Sequence, residues 1–339
     1  MLPEIKVVQT RRELGEFLNL PKSIYGCEQY CPTPVPLETL NHARYRFFLA
    51  LENGRPVGRV AAILDSRYKE QDTGFFGGFE AIRKPAVSSE LLSNAEAWLA
   101  AQKVKRIIGP ATFNTNQQVG LLIEGFDEPP TPFIPYNPPY YQELIEGRGF
   151  RKKTDLLSFS CSLKHAIPPF LEKIASRAAQ RKGLALHVLK TFQPGRAVPI
   201  IATILNEAMA NNWGYIPLTP RETCSLVNYC FRKGDPSLAL FITIEKRPAA
   251  FSLCLPAGLK NHFARVAILA VVPEFRTLGL ESLLIKSTVE ILQKRNYSAF
   301  EISQVDENNA AMQKIIAKFP CHPTKRHRVY EKNLNSIGA

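Results

Sequence analysis

The feature that most restricts the fold is a succession of elements that runs along the chain twice. Residues 44–64 contain two apolar stretches, RYRFFLAL and PVGRVAAIL, joined at Asn53-Gly54. Asn-Gly between apolar runs is a strong hairpin signal. A Gly/Phe-rich strand (74–82), a helix over 88–103 capped by Ser88 or Ser89, and a strand over 106–108 follow. Next comes a loop dense in proline, from Pro129 to Pro139, which favours turn or polyproline conformation. A helix (140–146) and a strand (156–161) close the first half. After a helix over 169–181 the order restarts with a strand at 184–189 and helices at 198–211 and 220–232. A hairpin (238–245 and 248–255), an apolar strand (263–272), a helix (280–295), a strand (298–305), a helix (310–319) and a last strand (327–332) complete it. The order is complete in the second half and weaker in the first. A repeat of roughly 160 residues is too long for a solenoid and predicts two similar α+β domains. Their expected bounds are 1–164 and 184–339, with a linker helix within 165–183.

Composition narrows the partners. The chain of 339 residues carries a net charge of +13. Residues 1–165 hold 20 basic and 18 acidic side chains, and residues 166–339 hold 23 and 12, so the second half carries +11 of the excess. Such asymmetry suggests an anionic ligand or surface there. The N-terminal residues show no apolar signal region, and the longest apolar run, Val266–Val272, is far too short to span a bilayer. A cytoplasmic protein is expected, with peripheral attachment to the inner membrane face as the variant. The seven cysteines include no CxxC pair, so reduced thiols are expected. Neither Cys27/Cys31 nor the Cys321-His322…His327 cluster has the matching second pair that a zinc site needs, and no metal is expected. Lys325-Arg326-His327-Arg328 reads as a solvated edge strand.

The most informative stretch is Val271-Val272-Pro273-Glu274-Phe275-Arg276-Thr277-Leu278-Gly279-Leu280-Glu281-Ser282. An apolar strand, a tight turn and an amphipathic helix in that order aim backbone N–H groups and a helix dipole at one point, which suits a pyrophosphate. With the later strand and Asn309-x-x-Met312, this stretch resembles the GNAT superfamily of acyl-CoA N-acyltransferases. The resemblance implies that Val271, Val272, Arg276, Thr277, Leu278, Gly279, Leu280, Ser282 and Asn309 hold acetyl-CoA or a longer acyl-CoA. Glu281 stands where the family usually has Gly or Ala, and Ile316 where its general-acid Tyr would fall. The strings GRVAAI, GFFGGFE, IGPATFNTN, GLLIEGFDEPP, YNPPYY, GFRKKTDL, NNWGYIPLT and RVYEK look like those of a bacterial subfamily of tandem GNAT-like proteins, some of which resemble ceramide-type acyltransferases. The resemblance implies two tandem GNAT-like domains, each a mixed, largely antiparallel sheet flanked by helices. The first half lacks the Arg-x-x-Gly turn, and is inferred to shape an acceptor pocket or the domain interface instead.

Attack on a thioester needs a neutral amine, so a carboxylate or a water chain must take its proton. Glu222 and Glu301 are the candidates, against plain roles as a helix-terminal charge and a paired strand residue. Trp213 and Tyr215 are candidate acceptor-site residues, against core packing. Asn114, Asn116, Tyr136 and Asn137 are candidates too, against turn capping. Three function classes follow. One is transfer of an acyl group from a CoA thioester to an amine. Another is the same chemistry on a sphingoid-type lipid amine at an anionic membrane surface. A third is a catalytically degenerate binding module. Nucleic acid is disfavoured, since no helix-turn-helix spacing, RNP signature or zinc finger is present.

Overall fold

The computed structural model describes residues 2–25, 42–112, 115–164, 167–257 and 262–334. Two compact units emerge. The first comprises Met1–Leu156, Asp306–Asn308 and Lys325–Ala339, and the second Leu157–Val305 and Asn309–Thr324. The consecutive division expected from the sequence places 325–339 in the second domain, whereas this segment belongs to the first unit.

The first unit opens with β1 (Glu4–Val7), α1 (Arg11–Asn19) and α2 (Pro21–Ile24). Then come β2 (Ala43–Glu52), β3 (Arg55–Asp65), β4 (Thr73–Ala81), α3 (Pro85–Ala101) and β5 (Arg106–Gly109). Asn53 and Gly54 both have positive φ, as a two-residue hairpin loop with the strands' own twist requires. Helix α3 begins at Pro85, ahead of the expected serine cap, because proline is preorganised for the first helical position. Short strands β6 (Ala111–Thr112), β7 (Gln118–Val119) and β8 (Leu121–Glu124) and helix α4 (Tyr141–Glu146) follow, then β9 (Arg151–Ser162), whose residues up to Leu156 lie in this unit. The sheet order is β1-β2-β3-β4-β5-β15, where β15 (Cys321–Asn333) is the last strand among the described residues.

Residues 325–333 of β15 are therefore not the solvated edge that their charges suggested. They pair with β5 through Tyr330–Asn333 and with β8 through Arg326–Arg328. Their cations surround Asp155, which is 1 % exposed. Arg328 Nε donates to Asp155 Oδ1 at 2.9 Å, Arg328 Nη2 to Oδ2 at 3.1 Å and Arg326 Nη1 to Oδ2 at 3.2 Å. The unit's core packs α3 (Val87, Leu91, Leu99) against β2–β4 and takes in Tyr330 and Leu334.

The second unit holds α5 (Pro169–Ala179), β10 (Leu184–Val188), α6 (Pro194–Met209), α7 (Pro220–Arg232), β11 (Ala239–Ile244), β12 (Arg247–Pro256), β13 (Phe263–Val271), α8 (Leu280–Lys294), β14 (Ala299–Asp306) and α9 (Ala310–Ile316). Its sheet runs β14-β13-β12-β11-β10. Each unit contains one parallel pair bridged by a helix, β4/β5 by α3 and β13/β14 by α8. Parallel strands require such a crossover. Cys161 on β9 and Cys321 on β15 are joined as a disulfide, which corrects the expectation of reduced thiols for this pair. The bond links positions 160 apart, so no spacing rule could reveal it. Cys27 and Cys31 lie outside the described residues.

Candidate functional site

In the second unit the paired register of β13 and β14 ends at Val266↔Ile302, although β13 runs on to Val271. An apolar cavity of about 20 Å³ lies there, lined by Val266, Leu269, Ile302 and the α8 side chains Ile285, Val289 and Leu292. Beyond Val271 the chain turns through a short 3-10 segment (Pro273–Phe275) into α8. Phe275 is buried beneath the Arg247 guanidinium, 5.2 Å from its ring centroid, and Arg247 pairs with Glu274. Thr277 (φ 71°) and Gly279 (φ 78°) are both left-handed. The first is costly for a β-branched residue, and such outliers persist where geometry serves a site. At Gly279 a Cβ would lie 2.6 Å from Ile174 Cγ2 on α5, so packing as well as conformation demands glycine. The turn presents the first-turn N–H groups of α8, at Leu280, Glu281 and Ser282, which have no intrahelical partners.

The sequence-predicted residues divide clearly. Arg276 is exposed and its Nη2 donates to Ala208 O at 3.0 Å, near the C-terminal end of α6, where a cation suits the helix dipole. Val272 and Leu280 are buried supports of the turn, Val271 and Leu278 are half-buried, and Ser282 is 7 % exposed. Asn309 caps α9, its side chain accepting from Met312 N at 3.0 Å. Ile316 is core, 3 % exposed. Tyr215 Oη donates to Asn206 Oδ1 at 2.7 Å, and Leu218 N donates to the same oxygen at 2.8 Å, which folds the segment around half-buried Trp213 onto α6. Burial pushes the Tyr215 phenol up to about 12. The last turn of α6 thus gathers the turn residue Arg276 and the Trp213–Tyr215 segment, two clusters that the sequence separates by some 60 residues.

Glu222 closes a capping box on α7. Its Oε2 accepts from Thr219 N at 2.8 Å and Thr219 Oγ1 at 2.9 Å, while Glu222 N donates to Thr219 Oγ1. Glu301 is 1 % exposed, accepts from Ser303 Oγ at 2.6 Å and stands opposite Arg265 in the β13/β14 register. Burial lowers the Arg265 guanidinium to about 10, against the opposing pull of Glu301.

The first unit holds a second, more polar cavity of about 80 Å³. Tyr136 and Asn137 line it; Asn116 is exposed and not part of its wall, and Asn114 lies outside the described residues. The Asn137 amide brackets Leu122, accepting from its N–H at 2.7 Å and donating to its carbonyl at 3.1 Å. The centre of the wall is Glu80, which the sequence reading missed. A bulge in β4 sets two residues, Gly78 and Phe79, against Val60 alone, and Gly78 takes φ 55°. Bulges of this kind re-aim the side chain that follows. Glu80 Oε2 accepts from Tyr25 Oη at 2.7 Å and Tyr141 Oη at 2.8 Å. Burial raises the Glu80 carboxyl, opposed first by Arg59, and burial likewise raises both phenols. The visible signal was a charge inside each of two neighbouring apolar strands, Arg59 in GRVAAI and Glu80 in GFFGGFE. In the first unit the β4/β5 register ends at Phe75↔Ile108, although β4 runs on to Ala81, and β6 fills the space beyond, because a Cβ on Gly77 would fall 1.8 Å from the Ala111 carbonyl oxygen of β6.

No protein-family model matches the chain. Among solved structures it superposes on a tandem GNAT protein from the clavulanic acid biosynthesis pathway with a TM-score of 0.61, 12 % identity and 98 % of both chains covered. The chain has the tandem GNAT fold. A GCN5-related N-acetyltransferase from Sphaerobacter thermophilus shares this fold at a TM-score of 0.57, 13 % identity and coverage of 98 % and 97 %. By sequence the chain is 28 % identical to Protein YghO of Escherichia coli K12 over 97 % of its length and 95 % of the relative's. It is 29 % identical to a bacterial ceramide synthase of Caulobacter vibrioides over 96 % of both. Within the tandem GNAT fold, the turn of Arg276–Ser282 occupies the strand-to-helix connection of the second unit. No described helix is long and apolar enough to cross a membrane.

Proposed function

We propose that the protein is an N-acyltransferase that moves an acyl group from a CoA thioester to an amine. The observation that carries this reading is the left-handed pair Thr277 and Gly279, which aims the N-terminus of α8 out of the turn beside strands whose pairing has ended. Such an N-terminus binds pyrophosphate oxygens through backbone N–H groups. The amine nitrogen attacks the thioester carbon, the C–S bond breaks, and the amine's proton passes to the departing thiolate or to solvent. Calorimetric titration with acetyl-CoA and palmitoyl-CoA tests the reading. Binding of at least one is expected, about tenfold weaker in Arg276→Ala, consistent with loss of one charged contact of about 1.4 kcal/mol. No heat from either compound or from free CoA overturns it.

A second reading makes the acceptor a sphingoid-type lipid amine and the donor a long-chain acyl-CoA. Its support is the relationship to the Caulobacter protein, together with the +11 charge of the second half. Anionic lipids attract basic surfaces by about 1 kcal/mol per residue near the bilayer. Co-sedimentation with phosphatidylglycerol vesicles at low salt, abolished by high salt, is the expected result. Failure to co-sediment at low salt removes the membrane from the reading.

A further inference from the structure

The Glu80 cavity is unaccounted for by acyl transfer at the second unit's turn. Its charged wall consists of Glu80 and Arg59, 7 % and 8 % exposed. Their hydrogen bonding is incomplete in a specific way. Glu80 Oε2 takes both tyrosine hydroxyls, but Oε1 faces Arg59 Nη2 at 3.6 Å, beyond hydrogen-bonding distance. Arg59 Nη1 is spent on Phe17 O at 2.5 Å, and its buried Nε has no acceptor. A pair so deeply buried normally closes its bonds, since unsatisfied charged groups cost several kcal/mol.

One atom that both donates and accepts closes the gap between Nη2 and Oε1. A hydroxyl oxygen set about 2.8 Å from each partner accepts from Nη2 and donates to Oε1. An ammonium would lie against Arg59 and a carboxylate against Glu80, each adding an uncompensated charge to a pair that is already neutral. The cavity's volume of about 80 Å³ corresponds to roughly five or more water positions, the space of a three- or four-carbon polyol. Half-buried Thr112 offers a polar partner for a further hydroxyl, and Phe79, Leu121 and Ile134 offer apolar surface to the carbon chain.

We propose that the first unit carries a binding site for a small neutral polyol, one hydroxyl of which bridges Arg59 Nη2 and Glu80 Oε1. The bulge at Gly78 and the YNPPYY segment build this site: the bulge aims Glu80, and Tyr141 holds it while accepting from Ala81 N at 3.0 Å. It is independent of any acyl donor, because the strand separation of this unit is closed by β6.

Saturation-transfer-difference NMR on the full chain at pH 7 tests the proposal with erythritol and glycerol as neutral probes. Ethanolammonium and glycolate serve as charged ones. The polyols are expected to give signals at least about fivefold stronger than either charged probe, and erythritol is expected to raise the melting temperature. Glu80→Gln should weaken the polyol signal about tenfold. Because that change strips Arg59 of its countercharge, Ile134→Phe supplies a second reading: it fills the cavity, leaves the pair intact and should abolish the polyol signal in a chain that still melts cooperatively. Equal signals from all probes, a polyol signal that survives Ile134→Phe, or no polyol signal at all (a cavity that holds only water) each overturn the proposal.

Discussion

Replacing Asp155 with asparagine isolates what the last strand contributes to the first unit. The wild-type carboxylate receives Arg328 at both oxygens, Arg326 at Oδ2 and Lys152 at 3.1 Å. An amide keeps the shape and loses the charge, leaving three cations facing one another. Removing one partner of a fully buried ion pair costs about 3–5 kcal/mol. Here Lys152 and Arg326 keep 40 % and 35 % of their side chains in solvent and recover hydration, whereas Arg328 keeps 22 %. The expected loss is therefore about 2–3 kcal/mol at pH 7. A pH signature comes with it. Burial would raise the Asp155 carboxyl, but the bonds from Arg328, Lys152 and Arg326 outweigh it and hold it at about 2, below its ordinary 3.8. A carboxyl depressed in the folded state stabilises above its unfolded pKa and loses that stabilisation as pH falls through the folded one. After a discount for the solvent around the cations, this is about 1–2 kcal/mol lost between pH 5 and pH 2. Urea unfolding of both proteins at pH 7, 4 and 2.5 makes the measurement, and the gap between them should narrow as the pH falls. A gap that is constant with pH refutes the electrostatic argument, and a gap below 0.5 kcal/mol at pH 7 refutes the placement of the cations.

Other consequences can be measured separately. Gly77→Ala sets a methyl against the Ala111 carbonyl and must displace β6, so a loss of more than about 3 kcal/mol is expected in chemical denaturation; a loss under 1 kcal/mol would show the strand separation to be unfilled. Glu222→Gln weakens the α7 capping box and should cost about 0.5–1 kcal/mol while turnover stays within threefold. A hundredfold loss of turnover at wild-type stability would instead give Glu222 the amine's proton. Alkylation of the unfolded, unreduced chain followed by peptide mass spectrometry should leave Cys161 and Cys321 unmodified until a reductant is added; immediate modification of both rejects the bond.

What could be read from the sequence follows the range of the interactions concerned. The hairpin at Asn53-Gly54 and the turn from Val271 to α8 are set by neighbours in the chain, and both appear where the residues place them. The expected strand at 263–272 is β13, one residue shorter. Misreadings begin where a partner is distant. Lys325–Arg328 resembled a solvated edge because Asp155 is some 170 residues away, and charge patterning carries no information about so remote a partner. The same holds for Cys161 and Cys321. Of the candidate site residues, those fixed by local chemistry, such as Glu222 as a helix-terminal charge, declared their alternative role in advance. Glu80 did not, because its role depends on a bulge and on tyrosines from two separate segments.

The placement of β15 has a consequence for how such a chain can be made and altered. Tyr330 and Leu334 belong to the core of the first unit, and β5 takes its second partner strand from residues 330–333. During synthesis, the earlier-made unit must wait, with that edge and that core open, until the whole of the later one has left the ribosome. A fragment cut after residue 164 would keep Asp155 and lose two of its cations. The halves look like a duplication, yet no single cut separates them, and any cut between residues 157 and 324 takes the last strand from the first unit.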